Sequence, residues 1–433
     1  MKKLLGLFSQ YKGLRPEVYI LFFGRVVTNL GSMVWPMLTM ILSRKMGMSA
    51  STIAAVTVAS SAVMLPANLL GGRLADRRNK KMTIVYCDAA SILCYLVAAA
   101  IPLSYVTLGL FLAAGICQSM EWPSYNALIA DLTRTKDRDR AYSLQYLGAN
   151  LGLVLSPTIG GLLFEKHLSL AFLFSGIAIA MSTALIFFKV KNITPEQDDT
   201  PEAVYQQGRE ELGLFSVLRE NPLLILFLVS MALYYAAYGQ YSYLMPLDMG
   251  KVHGENGAVI YGTVSSLNCI VVVLFTPVIT RLFRKLRDPQ KILAGQLLVG
   301  VGYAVFLLLL GKIPAYYAAM LLFTWGEIFA TIAEEPYLSS RVPATHRGRI
   351  NGFTSVLAAV LQGGIELSVG KAYDLKGSAA AWVLVLGVLA VAAALTVILL
   401  FRDRKRYPAL WTALPEASSA AKPEAPPAAE PEN

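Results

Sequence analysis

From about residue 17 to residue 401 the chain is a succession of long apolar runs, each near or above the roughly 20 residues a helix needs to cross a bilayer. Twelve can be counted, at about 17–42, 50–74, 82–101, 105–131, 139–165, 169–189, 221–247, 257–282, 290–311, 314–340, 348–371 and 378–401. Composition agrees: 55% of the 433 residues are hydrophobic and 15% charged, too apolar a mixture for a soluble enzyme of this length. The expected fold class is an all-α polytopic membrane protein of 12 transmembrane helices in two pseudo-symmetric six-helix bundles. The first run is too long for the apolar core of a cleavable signal.

A net charge of +10 invites a nucleic-acid reading, and the placement of the cations removes it. With both termini inside, 30 of the 38 Lys and Arg fall in cytoplasmic segments and seven in external ones, leaving Arg25 alone within a span. Such a bias is what fixes orientation in a membrane. The four cysteines (Cys87, Cys94, Cys117, Cys269) lie in apolar runs and read as small hydrophobes, with no metal or disulfide spacing. The three histidines (His167, His253, His346) lie in loops, which leaves a membrane enzyme without a base or a metal set. A nucleotide-binding Gly-x-x-x-x-Gly-Lys-Ser/Thr loop is missing too, so ATP drive is not expected and no cofactor is implied.

The chain divides at 1–190, a polar linker at 191–220, 221–402, and a tail at 403–433 whose Ala, Pro and Glu content reads as disordered. The two long segments repeat each other. Glu121-Trp122-Pro123 corresponds to Glu334-Glu335-Pro336, and Asp137-Arg138-Asp139-Arg140 to His346-Arg347-Gly348-Arg349. Further on, Gly160-Gly161 and Glu165 correspond to Val369-Gly370 and Asp374. A repeat of this kind predicts two similar bundles related by an axis along the membrane normal, with substrate bound between them near the midplane.

Two motifs carry a family resemblance. Gly72-Arg73-Leu74-Ala75-Asp76-Arg77-Arg78-Asn79-Lys80-Lys81 joins the second and third runs, and five of its ten residues are cationic. It resembles the signature loop between helices 2 and 3 of the major facilitator superfamily, with Asn79 where that family has glycine. Asn tolerates a left-handed turn better than other non-glycine residues. In the fifth run, Gly152-x-x-x-Ser156-Pro157-x-x-Gly160-Gly161 resembles the helix 5 motif of proton-driven drug exporters, with Ser156 in place of one glycine. Small residues there permit close helix approach and Pro157 supplies a bend. The resemblance covers residues 15–402, and the chain is similar to 12-helix bacterial proton-driven multidrug exporters.

That resemblance implies a secondary active transporter of the bacterial cell (inner) membrane, multi-pass, with both termini cytoplasmic. Its implied partners are a small-molecule lipophilic or cationic substrate, protons and membrane lipids, with no nucleic acid, and it is expected as a monomer. The alternative is the same fold working as a symporter, a facilitator, or an exporter of lipid, peptide or metabolite. The resemblance also gives the loop motif a gating role. Asp76 would accept hydrogen bonds from a helix N-terminus in the other bundle, that of the eleventh span. Arg77 would bridge to Asp131, and Gly72 would permit the close approach.

Ionisable groups at membrane depth are costly, at least about 2.5–3.5 kcal/mol for a charged one on insertion scales. Seven stand there: Arg25, Asp88, Glu121, Glu327, Glu334, Glu335 and Glu366. Glu327 lies near the centre of the tenth span, where the resemblance places an acid that exchanges protons and contacts cationic cargo. A carboxyl held in a packing hydrogen bond is the other reading. Thr331 and Glu334 follow on the same helical face, four and seven residues on. Arg25 and Glu121 stand at similar depth in apolar surroundings and are expected to be in contact, directly or through water, as a structural bridge or as a switch that opens on protonation. The exporters' helix 4 arginine has no counterpart, since Gly115 occupies its place. Arg25 or the acids would have to replace it. Asp88 is expected to pack polar groups, and Glu366 to be solvated or to help close the external side. Tyr234, Tyr238 and Tyr241 recur at helical spacing, either as an interfacial belt or as a cavity wall. The resemblance favours the wall. Asn29, Gln118 and Gln145 are further candidate polar contacts.

Overall fold

The structure, a computed structural model, describes residues 11–77, 79–133, 135–190, 218, 221–341, 344–408 and 411. Among them every α-helix follows from the apolar runs, and no strand occurs. In chain order the helices are α1 (Pro16–Leu30), α2 (Val34–Met40), α3 (Ala50–Arg77), α4 (Lys80–Ala100), α5 (Tyr105–Asp131), α6 (Thr135–Leu153), α7 (Ser156–Phe164) and α8 (Leu168–Lys189). After the linker come α9 (Pro222–Tyr238), α10 (Leu244–His253), α11 (Gly257–Leu282), α12 (Asp288–Leu308), α13 (Ile313–Arg341), α14 (Ala344–Lys376) and α15 (Ser378–Arg406). Helix suits such sequences because it satisfies each backbone group within its own segment, which hydrocarbon demands.

Ten stretches among the described residues are long and apolar enough to cross a membrane. The expected count of twelve differs at two places. Pro222–Leu282 is one continuous stretch of 61 residues by this measure. α5 falls outside the ten, because Gln118, Ser119, Glu121, Ser124 and Asn126 dilute its apolar character. The final helix runs to Arg406, past the expected start of the tail at 403. Trp411 beyond it is anchored: its indole donates to Asp403 (2.9 Å) and its carbonyl accepts from Arg287 (2.8 Å).

Three apolar passages are interrupted. α1 breaks from α2 at 31–33, α6 from α7 at 154–155, just before Pro157, and α9 from α10 through a 3-10 turn at Gly239–Ser242. At the first and third breaks freed carbonyls find side-chain partners, as membrane depth requires. Gly31 O accepts from Ser175, Ala237 O and Tyr238 O accept from the Tyr303 hydroxyl (3.1 and 2.8 Å), and Ser242 O accepts from Thr39 (3.1 Å).

The earlier helices pack as α4 on α5 and α8, and α1 between α6 and α8; the later ones as α12 on α13 and α9 on α15. The two sets meet along two seams, α3 with α14 and α7–α6 with α11. One end of the molecule carries Lys12, Lys80, Arg287 and Arg406 and is called here the basic end; the opposite end carries Glu165, Gly254 and Gly377.

The glycines show where close approach is required. A Cβ at Gly152 would sit under 3.0 Å from the backbone of α1 at Val26. At Gly160 it would meet Met33, and at Gly161 Ala258 of α11. In the loop motif the close approach belongs to Gly71, against Met120 of α5, whereas a Cβ at Gly72 meets nothing within 4 Å. The expected role of Gly72 therefore passes to its neighbour in this structure. Asn79 is not left-handed either: at φ −63° it caps α4, its side chain accepting from Met82 N (3.3 Å). Gly152→Ala and Gly71→Ala should each cost roughly 1–3 kcal/mol through overpacking. Gly72→Ala should be neutral or stabilising by up to about 1 kcal/mol. Thermal unfolding in detergent checks this, and equal effects at all three positions would contradict it.

Candidate functional site

The site is built around the middle of α13. Gly326 lets α13 press against α12 at Gly295, which turns the next residue, Glu327, toward α11 and α9. There the Asn268 amide of α11 donates to Glu327 Oε2 (2.7 Å) and also reaches Thr324 Oγ1 (3.0 Å). The Tyr238 side chain of α9 lies close to the Glu327 carboxyl. Around this carboxyl stands an aromatic wall. Tyr238 stacks on Phe323 at 4.8 Å between centroids and 20° between planes, and Tyr241 lies 5.5 Å from Tyr238 and 5.1 Å from Phe323. Two turns toward the basic end, Glu334 accepts from the Tyr235 hydroxyl, while Thr331 between the two acids is exposed.

The tyrosines do not act as the helical spacing predicts. α9 ends at Tyr238, so Tyr241 reaches the same wall from the 3-10 turn. Tyr234 is only 1% exposed, and its hydroxyl has no hydrogen-bond partner among the described residues, although both Glu327 and Glu334 lie within its electrostatic reach. The direct bond to Glu334 comes from Tyr235, which the helical spacing had set aside. Asn268 was also missed. Its signal was available, as an amide within the apolar run 257–282.

On the earlier helices Arg25 and Glu121 make no direct ion pair, although the two lie within electrostatic reach. The Arg25 guanidinium lies over the Trp122 ring, 4.4 Å from its centroid, and 5.7 Å from that of Tyr125. Trp122, one residue along α5 from Glu121, offers a flat partner that costs the cation no carboxylate geometry. Glu121 stays within electrostatic reach of Arg25 and of Asp88, which is buried on α4 and accepts from Thr183 of α8 (2.6 Å). The candidate polar contacts are engaged with protein groups. Gln145 is buried, donating to Val18 O (3.1 Å) and accepting from Tyr125 (3.1 Å). Asn29 bonds Arg25 O of its own helix (2.9 Å), and Gln118 meets Tyr95. Gln145 in particular ties α6 to α1 and α5.

Of the gating residues, Asp131 pairs with Lys80; the side chains of Asp76 and Arg77, and of the start of α14, lie outside the described residues. Among the described residues, the hydrogen bonds joining the earlier and later helices cluster toward the opposite end. Asp374, near the end of α14, accepts from the backbone N–H groups of Ala50 (2.9 Å) and Ser51 (2.8 Å) at the start of α3. A carboxylate at a helix N-terminus is favoured by the exposed donors and the helix dipole. Thr57 donates to Glu366, the Tyr243 hydroxyl to Ala50 O, and Arg44 to Gly254 O. Glu366 is thus buried against α3, where solvation was one expectation. Toward the basic end the α6–α11 seam instead leaves a cavity of about 480 Å³, lined by Tyr146, Asn150, Val272, Thr276 and Arg281 among others. A further buried acid, Asp248 of α10, is spent on packing. It accepts from Tyr373 (2.9 Å), Ser378 (2.7 Å) and Trp382 (2.7 Å).

Comparison with known proteins gives this geometry a family. The chain is 27% identical over 323 residues to the MFS-type transporter YqjV of Bacillus subtilis, covering 74% of this chain and 77% of that one. It is 24% identical over 344 residues to a Na(+), Li(+), K(+)/H(+) antiporter of Planococcus maritimus, covering 73% and 80%. To the quinolone resistance protein NorA of Staphylococcus aureus it is 26% identical over 184 residues, 41% of this chain and 47% of that protein. In fold it is similar to the crystal structure of a POT family transporter in complex with a thioalcohol-conjugated peptide. The TM-score is 0.74 at 15% identity, over 90% of this chain and 96% of that one. The family model of the Major Facilitator Superfamily matches residues 21–365, and the chain belongs to that superfamily as a multi-pass membrane transporter, not an enzyme.

Proposed function

We propose that the protein exports lipophilic cations in exchange for protons, with Glu327 as the group for which the two compete. The observation that carries the reading is the carboxyl held by Asn268 beside a wall of Tyr238, Tyr241 and Phe323. Such a site offers a cation three attractions at once: a negative charge, ring faces and apolar surface. Glu334 with Tyr235 provides a second acid nearer the basic end, and Thr331 a hydroxyl between them. Deprotonated, Glu327 holds cargo; once protonated it must use one oxygen to carry the proton, loses its charge and lets the cargo go. Relatives described as an ion/H(+) antiporter and as a quinolone resistance protein are consistent with this reading.

In the proposed arrangement the basic end is cytoplasmic, together with both termini, in a bacterial inner membrane. Residues 1–190 and 221–402 form two bundles that rock about the site, joined by the 191–220 linker. The contacts from α14 to α3 then hold the external side shut while the α6–α11 seam opens inward. The cargo is a small molecule, the protein works as a monomer among lipids, and no cofactor or nucleic acid takes part.

Glu327→Gln should abolish proton-driven efflux of a cationic dye in inverted vesicles, with near-normal amounts of protein in the membrane; undiminished efflux would remove Glu327 from the mechanism. Asp374→Ala should release the start of α3. A charge-assisted bond contributes roughly 1.5–3 kcal/mol, so the externally open population should rise about tenfold or more. Labelling of Val58→Cys by an impermeant maleimide from outside reads that population, and an unchanged labelling rate would mean that Asp374 does not hold the seam.

A further inference from the structure

The cavity at the α6–α11 seam changes in polarity along its length. Its volume is about 480 Å³, and a stripe from each of the two helices lines it. α6 supplies Ser143, Tyr146, Leu147 and Asn150, at the three- and four-residue spacing that keeps side chains on one face. The stripe of α11 runs from Val272 and Val273 to Thr280 and Arg281. At roughly 1.5 Å per residue, Val272 and Arg281 stand about 13 Å apart along the helix axis.

At the mouth, toward the basic end, a cation stands among hydroxyls. The Tyr11 and Ser143 hydroxyls share a hydrogen bond of 3.0 Å, and Thr280 precedes Arg281 on α11. Arg281 is exposed, as are Arg284 and Lys285 just past it, and among the described residues no carboxylate pairs with any of the three. Other cations of this end are matched to acids: Lys80 to Asp131, Lys291 to Asp288 and Arg341 to Asp403. Further in, Leu147, Val272 and Val273 supply apolar surface, and Tyr146 lies within electrostatic reach of Glu327.

The sign of the charge at the mouth selects the occupant. A cationic cargo gains nothing from Arg281, so the groove does not duplicate the Glu327 site. A guanidinium fork beside hydroxyls suits a phosphate, and basic pockets between helices on the cytoplasmic side of a membrane take anionic head groups. A free phosphate would leave the apolar floor of Leu147, Val272 and Val273 bare, whereas a phospholipid would cover it with an acyl chain.

We propose that an anionic phospholipid from the leaflet at the basic end binds in this groove, with its phosphate on Arg281 and an acyl chain between α6 and α11. Lodged between an earlier and a later helix, it keeps this seam parted. Only the identity of that leaflet as cytoplasmic rests on the orientation proposed above. The test is native mass spectrometry of the protein purified in detergent; it involves no transport, so its outcome is independent of Glu327. Palmitoyl-oleoyl phosphatidylglycerol should bind with a Kd about tenfold below that of zwitterionic palmitoyl-oleoyl phosphatidylcholine, the scale of one charge-assisted bond. Arg281→Gln should erase that difference, while Arg284→Gln and Lys285→Gln keep it. Leu147→Trp, which fills the groove, should weaken retention of both lipids, and inorganic phosphate at matched ionic strength should displace neither. An intact protein with no preference, or equal losses in all three cation variants, would mean a diffuse charged surface and overturn the proposal. Displacement by inorganic phosphate, or unaltered retention in Leu147→Trp, would overturn it too, since the acyl chain would then lie elsewhere. Arg281 is exposed, so the comparison of cation variants decides the matter even if Leu147→Trp fails to fold.

Discussion

The bond between the Asn268 amide and the Glu327 carboxyl is the contact on which the rest of the interior depends. A carboxyl in the middle of an apolar passage is tolerated only if polar groups meet it there. The donor comes from α11 and the neighbouring Tyr238 from α9, so accommodating one side chain draws three helices together. The close contact of Gly326 with α12 sets the face of α13 that points at those two side chains. The interruption of α9 after Tyr238 then brings Tyr241 round to the same wall, and Tyr303 satisfies the carbonyls that the interruption frees. Local unwinding, which hydrocarbon normally forbids, is affordable where neighbouring side chains re-pair the backbone.

A transporter of this architecture has to hold one side closed without making that closure permanent. In the arrangement proposed above, polar contacts between helix ends do this at the opposite end. Asp374 on the N-terminus of α3, Thr57 on Glu366 and Tyr243 on Ala50 O are specific polar contacts, of a kind that water can replace. Buried apolar surface would close the seam equally well but would open less readily. The buried Asp248 and the Arg341–Asp403 pair (2.7 Å) lie within the later helices and play the opposite part, holding that set together as a unit.

Most of the architecture could be read from the apolar runs, because hydrocarbon leaves a chain so little choice. What resisted reading was local. The spacing of Tyr234, Tyr238 and Tyr241 assumes an unbroken helix, and the break after Tyr238 made Tyr235 the partner of Glu334. Asn268 looked ordinary beside Ser265 and Ser266 until the tertiary contact gave it an acid. Arg25 and Glu121 matched in depth and charge, yet depth says nothing of which neighbour offers the better surface, and Trp122 was one residue away. Glu121 and Asp88 instead feel one another across α5 and α4. Gln145 looked like a candidate for cargo and turned out to be spent on Val18 and Tyr125. Patterns along one helix survive into the structure; pairings between helices depend on rotations that no single run encodes.

The account stands on exchange at one carboxyl, and the most direct measurement is the proton released when cargo binds to purified protein. Calorimetric titration of a lipophilic cation in buffers of different ionisation enthalpy reads that proton without any membrane or gradient. Exchange at Glu327 should give release from the intact protein that grows as the starting pH is lowered toward protonation of the site, and none from Glu327→Gln. Cargo binding with the same heat in every buffer, or release that persists without the carboxyl, would contradict it.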